Sequence, residues 1–332
     1  MLRRDPRKGE FYKHFKGHII EIICIAKDTE TMEETVIYKH TGTNEFWSRP
    51  KDMFMERLDK TKYPNATQEY RFELIDNKYH NDYFPKTKRI LFASNNPGKV
   101  KEIKEMLEPF GFSVTTLEEE HIKLNPEENG LTYKENAFIK ANAAMEYLKD
   151  HGRENEFIVL ADDAGIEVEQ LNGRPGIYTH RATNGDPTKL LREIDDSKGS
   201  NAKLVCAHCA LFYDDGILHK YDTTGALYGH ISTFVRGTNG YGLYPIFIPE
   251  FTDDHMHLSR YYGKLKNPKT SKPLRFYSGY TLGEIDSVIT NAINHRYASL
   301  SKMFKLPSSE KTLSYLTKSP VERMIEFLEN KK

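Results

Sequence analysis

The sequence predicts an α/β protein, with helices laid against a sheet, preceded by a small N-terminal β-rich domain. Three observations lead there. From Arg89 onward, short apolar strands alternate with stretches of helical periodicity, the order that lays helices against a sheet. Before Arg89, short β-branched runs are separated by polar turns. The length, 332 residues, suits two domains of ~150 residues better than one.

The elements follow in order. Ile19–Ala26 and Glu34–Tyr38 are strands of the first domain, residues 1–60, and Pro50 after Phe46-Trp47-Ser48-Arg49 stops a further run. Residues 61–87 are rich in Asp, Asn, Lys and Tyr with two prolines, and read as a linker with at most one strand. The second domain, residues 88–332, opens with the apolar strand Ile90–Ala93. Pro97 then starts a helix that carries Val100, Ile103, Leu107 and Phe110 at helical spacing until Gly111. Thr132 and Glu135 have the spacing of a capping box for a helix burying Ala137, Ala141, Ala144 and Leu148. Phe157–Leu160 is a buried strand. Ala202–Tyr213 and Ile217–Tyr221 flank Asp215-Gly216, a hairpin turn. Tyr244–Ile248 reads as a strand, and Ala292–Lys305 and Val321–Asn330 as helices.

Composition excludes several classes. Lys plus Arg equals Asp plus Glu, 48 each, so bulk affinity for nucleic acid or an anionic membrane is not expected. With 38% hydrophobic residues the chain has material for a core and is not disordered. The longest nearly apolar stretches, Ile19–Ala26 and Leu204–Phe212, fall far short of the ~20 residues that span a bilayer. The basic start, Met1–Lys16, lacks the apolar run of a signal peptide. Three cysteines make no disulfide framework. The expectation is a cytoplasmic protein.

Four constellations carry chemistry. Ser94-Asn95-Asn96-Pro97-Gly98-Lys99 lies between a strand and a helix N-terminus, where free N–H groups and partial positive charge favour phosphate. It lacks the spacing of a Walker A loop, and an Asn-capped turn is its plain structural reading. Ala161-Asp162-Asp163-Ala164-Gly165 follows a buried strand, where α/β sheets bind ligands, and its carboxylates suit a hard cation such as Mg²⁺. A solvated turn is the alternative. Glu127-Glu128 upstream offers a third carboxylate, and Lys140 a second phosphate partner or an exposed helical lysine. Gly237–Phe247 makes a tight loop in which Tyr241 offers a ring face to a nucleobase. Asn294-His295-Arg296 places a donor fork in a late helix, suited to a purine edge or a phosphate. Two further signals are set aside. Strand alternation turns Cys206 and Cys209 to opposite faces, against a zinc site, and Asp253–His257 is a polar insertion that contains histidines.

Taken in this order, with Gly130-Leu131-Thr132, Glu135-Asn136-Ala137, Lys140-Ala141 and Gly173-Arg174-Pro175-Gly176-Ile177-Tyr178, these pieces resemble the inosine triphosphate pyrophosphatase family across residues 89 to 305. The first domain resembles a short bacterial domain of unknown function through Phe11–Gly17, Val36–Lys39 and Trp47–Pro50. The family resemblance implies a mixed, twisted sheet flanked by helices, and Mg²⁺-dependent hydrolysis of deaminated purine nucleoside triphosphates to monophosphate and pyrophosphate, by a homodimer. It implies that Ser94, Asn95, Asn96, Pro97, Gly98, Lys99 and Lys140 hold the triphosphate. Glu127 and Asp163 bind the metal, and Asp163 accepts the proton of the attacking water. Ala164, Tyr241, Gly242, Leu243, Tyr244, His295 and Arg296 contact the nucleotide, with Tyr241 stacked on the base.

Three positions depart from the family pattern: Ala164 replaces a serine, Tyr244 a carboxylate and Thr290 a lysine. The last two lie on the base side. A pyrophosphatase for a different modified nucleotide, and a nucleotide-binding sensor of weak turnover, therefore stand as alternatives. Between Phe247 and Thr281 the chain also carries an insertion with Lys264, Lys266, Lys269, Lys272 and Arg275.

Overall fold

The computed structural model describes residues 5–7, 10–16, 18–40, 46–64, 66, 68–74, 84–85, 88–250, 279–309 and 312. The chain divides into two compact units, Met1–Lys78 with Leu107–Ser113 and Lys318–Lys332, and Tyr79–Met106 with Val114–Thr317. The expected helix Val321–Asn330 and the insertion with its histidines and lysines lie outside the described residues.

The first unit is an antiparallel sheet of β1 (Phe11–His14), β2 (Ile19–Lys27), β3 (Glu34–His40), β4 (Phe46–Pro50) and β5 (Phe72–Leu74), in the order β4-β3-β2-β1-β5. Pro50 closes the edge strand, where a missing N–H costs no ladder bond, and starts the short helix α1 (Lys51–Met55). One face of the sheet buries Tyr12, Ile20, Ile22, Val36, Tyr38 and Phe72 against Phe54 of that helix. The rings of Phe54 and Phe72 stack at 4.4 Å. The linker expected over 61–87 therefore begins too early. Phe72 sits at a core position and its strand pairs with β1, His14 opposite Phe72, so the domain extends to Leu74. One strand was allowed within 61–87, but its place and its membership of the first domain were not readable, because only Phe72 of its three residues is buried and leaves no alternation.

The second unit holds a mixed sheet of β6 (Arg89–Phe92), β7 (Val114–Thr116), β8 (Phe157–Val168), β10 (Asn201–Asp214), β11 (Ile217–Ile231) and β12 (Phe247–Pro249), ordered β12-β11-β10-β8-β6-β7. The two-residue β9 (Pro175–Gly176) pairs with the far end of β8. The β6 strand runs parallel to both β7 and β8, while β8, β10, β11 and β12 pair antiparallel. At the β10–β11 hairpin both Asp215 and Gly216 have positive φ, as a two-residue turn between right-twisted strands requires.

Helix α2 (Pro97–Leu107) ends through a short 3₁₀ turn at Gly111, and helix α3 (Tyr133–Asp150) opens with the expected capping box of Thr132 and Glu135. The alanine face of α3, Ala137, Ala141 and Ala144, lies fully buried with Phe157, Val159 and Ala161 of β8 and with Cys209 and Leu211 of β10. Two short helices, α4 (Thr179–Thr183) and α5 (Pro187–Leu191), follow β9. The single late helix expected over Ala292–Lys305 is two. Helix α6 (Ser287–Ile293) stops at Asn294, whose extended ψ of 171° breaks the spiral, and its side chain caps α7 (His295–Phe304) by accepting from Tyr297 N. The expected strand Tyr244–Ile248 begins as a 3₁₀ turn, because Pro245 cannot donate to a ladder.

Candidate active site

The aspartate pair does not follow the strand but lies inside it, since β8 runs on to Val168. What stops is the neighbour. The parallel β6 ends with Phe92 opposite Leu160, and Ala93 N donates to Leu160 O at 2.8 Å. Beyond that point the Ser94–Lys99 loop lies alongside β8, so Asp162 and Asp163 flank a crevice at the carboxyl end of β6. Strand alternation sends the two carboxylates to opposite faces. A single cation held by both is therefore ruled out as the reading of the pair.

Asp163 points toward α3. Its Oδ2 accepts from Asn136 Nδ2 at 3.1 Å and its Oδ1 lies 3.8 Å from Lys140 Nζ, which also pairs with Glu128 Oε2 at 2.8 Å. Burial raises the Asp163 carboxyl above its usual range, against the pull of Lys140, Lys99 and the Asn136 hydrogen bond.

Asp162 points toward α7 and is 1% exposed. Lys99 Nζ contacts its Oδ1 at 3.0 Å and Arg296 Nε its Oδ2 at 3.1 Å. Burial alone would raise this carboxyl, but Lys99, Arg296 and Lys140 hold it well below the usual range. Beside it, His208 is fully buried and pulled down to about 3, chiefly by burial, then by Arg296 and Lys99 against Asp162. Asp162, Cys206 and His208 offer ligand atoms within 4.8 Å of one another, but both Asp162 oxygens already serve cations.

A further carboxylate, Glu102 on α2, organises the other wall. It is 5% exposed and accepts from Tyr244 Oη at 2.6 Å, Asn294 Nδ2 at 2.7 Å, Arg296 Nη1 at 3.1 Å and Tyr241 Oη at 3.2 Å. Tyr241 packs so closely on Gly98 that a Cβ there would come within 2.7 Å of its ring. The helix start at Gly98 is partly self-capped, as Asn96 Oδ1 accepts from the N–H groups of Gly98 and Lys99 at 2.9 and 3.2 Å. His295 is buried, its Nδ1 makes no hydrogen bond, and burial with the Arg296 charge pushes its pKa well below the ordinary value.

Many of these groups line one cavity of about 800 Å³, while Asp162, His208 and Glu102 are not in its lining. Ser94 through Lys99, Lys140, Asp163, Ala164, Tyr241 through Tyr244, His295 and Arg296 all line it. Glu127 does not. It is exposed, whereas its neighbour Glu128 lines the cavity and pairs with Lys140. Thr290 lies outside the lining and is 2% exposed. Sequence reasoning missed Glu102, and it named Glu128 and Asn136 only within their motifs, with no role of their own. Glu102 was findable: it stands directly before Ile103 and four residues before Met106, on the buried side of a helix, where an unpaired charge is costly.

Lysines, carboxylates and a Gly-Lys helix start around a crevice at strand ends define an α/β protein with a charged cleft. Residues 90–269 match the Ham1 family, and the chain belongs to that family. Residues 10–74 match a protein family of unknown function, DUF1653, which agrees with a first domain that includes β5. A dITP/XTP pyrophosphatase of Clostridium perfringens is 36% identical over 225 residues, covering 65% of this chain and 95% of that protein. One from Bacillus subtilis is 31% identical over 224 residues, covering 66% and 96%. The solved structure of the Staphylococcus aureus Ham1 protein is 27% identical, covers 66% of this chain and 97% of its own, and superposes with a TM-score of 0.46.

Proposed function

We propose that the chain hydrolyses non-standard purine nucleoside triphosphates, dITP and XTP among them, to the monophosphate and pyrophosphate. The observation that carries this reading is the convergence of every expected site position except Glu127 on one cavity, in a chain whose relatives are dITP/XTP pyrophosphatases. A cleft of this size takes a nucleotide.

Lys99, Lys140 and the start of α2 bind the triphosphate. The residues present fit a divalent cation, since Glu128 and Asp163 both reach toward the Lys140 ammonium and give hard oxygen donors on one side of the cavity. We assign Glu128, rather than Glu127, and Asp163 to hold Mg²⁺. When bound there, the ion neutralises phosphate charge and makes nearby water more acidic. Asp163, its proton affinity raised by burial, takes the proton of the water that attacks the α-phosphorus while the bond to the β-phosphate oxygen breaks and pyrophosphate leaves. Arg296 and Tyr241, fixed by Glu102, meet the base.

A second reading, an altered base preference, draws on Ala164 and on Tyr244, which stands buried against Glu102. The proposal extends to a homodimer in the cytoplasm on the resemblance alone. No helix among the described residues is long and apolar enough to cross a membrane.

The test is product analysis with Mg²⁺ and a panel of dITP, XTP, ITP, ATP and GTP. Pyrophosphate released fastest from dITP or XTP is expected. Release of inorganic phosphate, or no turnover of any triphosphate, overturns the proposal.

A further inference from the structure

The first unit carries a cluster of its own. Strand register puts Arg49 opposite Val36 and Trp47 opposite Tyr38, so both share the face that holds Tyr38 and His40. On that face rings run in contact from His14 to His18 at 6.3 Å, His18 to His40 at 5.6 Å and His40 to Trp47 at 6.0 Å. The Arg49 guanidinium lies 5.7 Å over the Phe72 ring and that of Arg71 5.9 Å over the Phe15 ring. His14 sits between those two rings, at 4.8 and 4.5 Å.

Charge here is unbalanced. The Nε atoms of Arg49 and Arg71 are both buried and make no hydrogen bond among the described residues. Burial, then Arg71, Arg49, His18 and Lys16, bring His14 down to about 4, so the strongest charges acting on it are all positive. One terminal nitrogen of Arg71 meets Glu56 at 3.4 Å. Three other cations of the unit have carboxylates: Lys51 with Asp5 and Glu34, Arg57 with Glu69, Lys62 with Asp59. A buried guanidinium nitrogen without an acceptor, repeated twice around one histidine, is costly unless an anion completes it. At the rim, Trp47 remains 49% exposed.

We propose that this cluster binds a small phosphorylated ligand with a planar ring, a nucleoside monophosphate being the simplest. Arg49 and Arg71 take the phosphate in planar, forked contacts and Trp47 takes the base by stacking. A nucleic-acid strand is the weaker candidate. Tracking a backbone needs a line of available cations, and Lys51, Arg57 and Lys62 are already paired with carboxylates.

Trp47 is the chain's single tryptophan, so its emission reports this site directly. Full-length protein titrated with AMP is expected to show saturable quenching, displaced by inorganic phosphate and absent with adenosine. Arg49→Gln should weaken the apparent affinity ~10-fold or more while pyrophosphate release from the proposed substrates stays unchanged. Should Arg49→Gln unfold, Arg71→Gln carries the same expectation. Lys99→Gln in the other unit should leave the quench intact. No quench at millimolar AMP overturns the proposal, as does a quench lost with Lys99→Gln and kept with Arg49→Gln. A single-stranded oligonucleotide binding ~100-fold tighter than AMP also overturns it, in favour of a polymer.

Discussion

Asp162 and Asp163 are adjacent in one strand and face opposite sides of the sheet, the first bonded to Lys99 and Arg296, the second to Asn136 and near Lys140. The pair therefore divides its work. Asp163→Asn should leave the fold intact and lower kcat by ~10²–10⁴-fold, the range of a proton acceptor's contribution. Asp162→Ala should instead act on stability, costing about 3–5 kcal/mol because two cations lose their buried partner. Urea melts and turnover of both variants separate the roles. A folded Asp163→Asn with normal turnover would remove it from the chemistry.

The neighbouring glutamates make a similar contrast. Glu128 lines the cavity and pairs with Lys140, while Glu127 is exposed outside it. Glu128→Gln should raise the Mg²⁺ concentration needed for half-maximal rate, with recovery at high Mg²⁺, since Asp163 and substrate phosphates remain. Glu127→Gln should give the wild-type titration curve. The reverse result would return the role to Glu127.

This contrast shows where the sequence stops being legible. The long buried strands, the capping box of Thr132 and the two-residue turn at Asp215-Gly216 were readable because each depends on neighbours in the chain. The ordered motifs also named residues that, Glu127 apart, line one cavity. The choice between Glu127 and Glu128 was not readable, because it turns on which way an irregular segment faces, and no period governs that. The break at Asn294 was hidden for a related reason: Asn caps a helix as readily as it interrupts one. Glu102 gathers partners from two segments more than a hundred residues downstream, contacts that local pattern cannot encode.

Acid should destabilise the second unit in a window set by His208. Its native pKa of about 3, lowered chiefly by burial, lies below the 6.5 of the unfolded chain. Below pH 6.5 the unfolded state takes up a proton that the native state refuses, so stability present above 6.5 is lost as pH falls toward 3. The slope from one such group approaches about 1.4 kcal/mol per pH unit. Urea unfolding between pH 6.5 and 4.5 should fall less steeply for His208→Gln than for wild type, by about that slope, whatever the absolute stability of the variant. Equal slopes would mean that His208 is charged in the native protein.

The base-reading wall supplies the sharpest prediction. From sequence, Tyr244 and Thr290 stand where the family has a carboxylate and a lysine, which points to weakened base selectivity. The geometry changes the weight of each. Thr290 is buried outside the cavity lining, so Thr290→Lys has no route to the base without displacing packed residues. At Tyr244 a carboxylate is close by after all: Glu102 accepts the Tyr244 hydroxyl at 2.6 Å and fixes Arg296 at 3.1 Å. A site that orients charged donors through such a network can reject a wrong base by ~10⁴-fold or more, while shape and stacking reach only ~10–200-fold. Glu102→Gln keeps the shape and removes the charge that orients Arg296. The ratio of kcat/KM for dITP over dATP should then fall ~10-fold or more toward the shape-limited range, with a smaller fall for Tyr244→Phe, which loses one hydrogen bond. A wild-type ratio already in the shape-limited range would mean that the Glu102 network does not read the base. An unchanged ratio in Glu102→Gln, with protein folded and turning over, would lead to the same conclusion and leave selectivity to the Tyr241 ring.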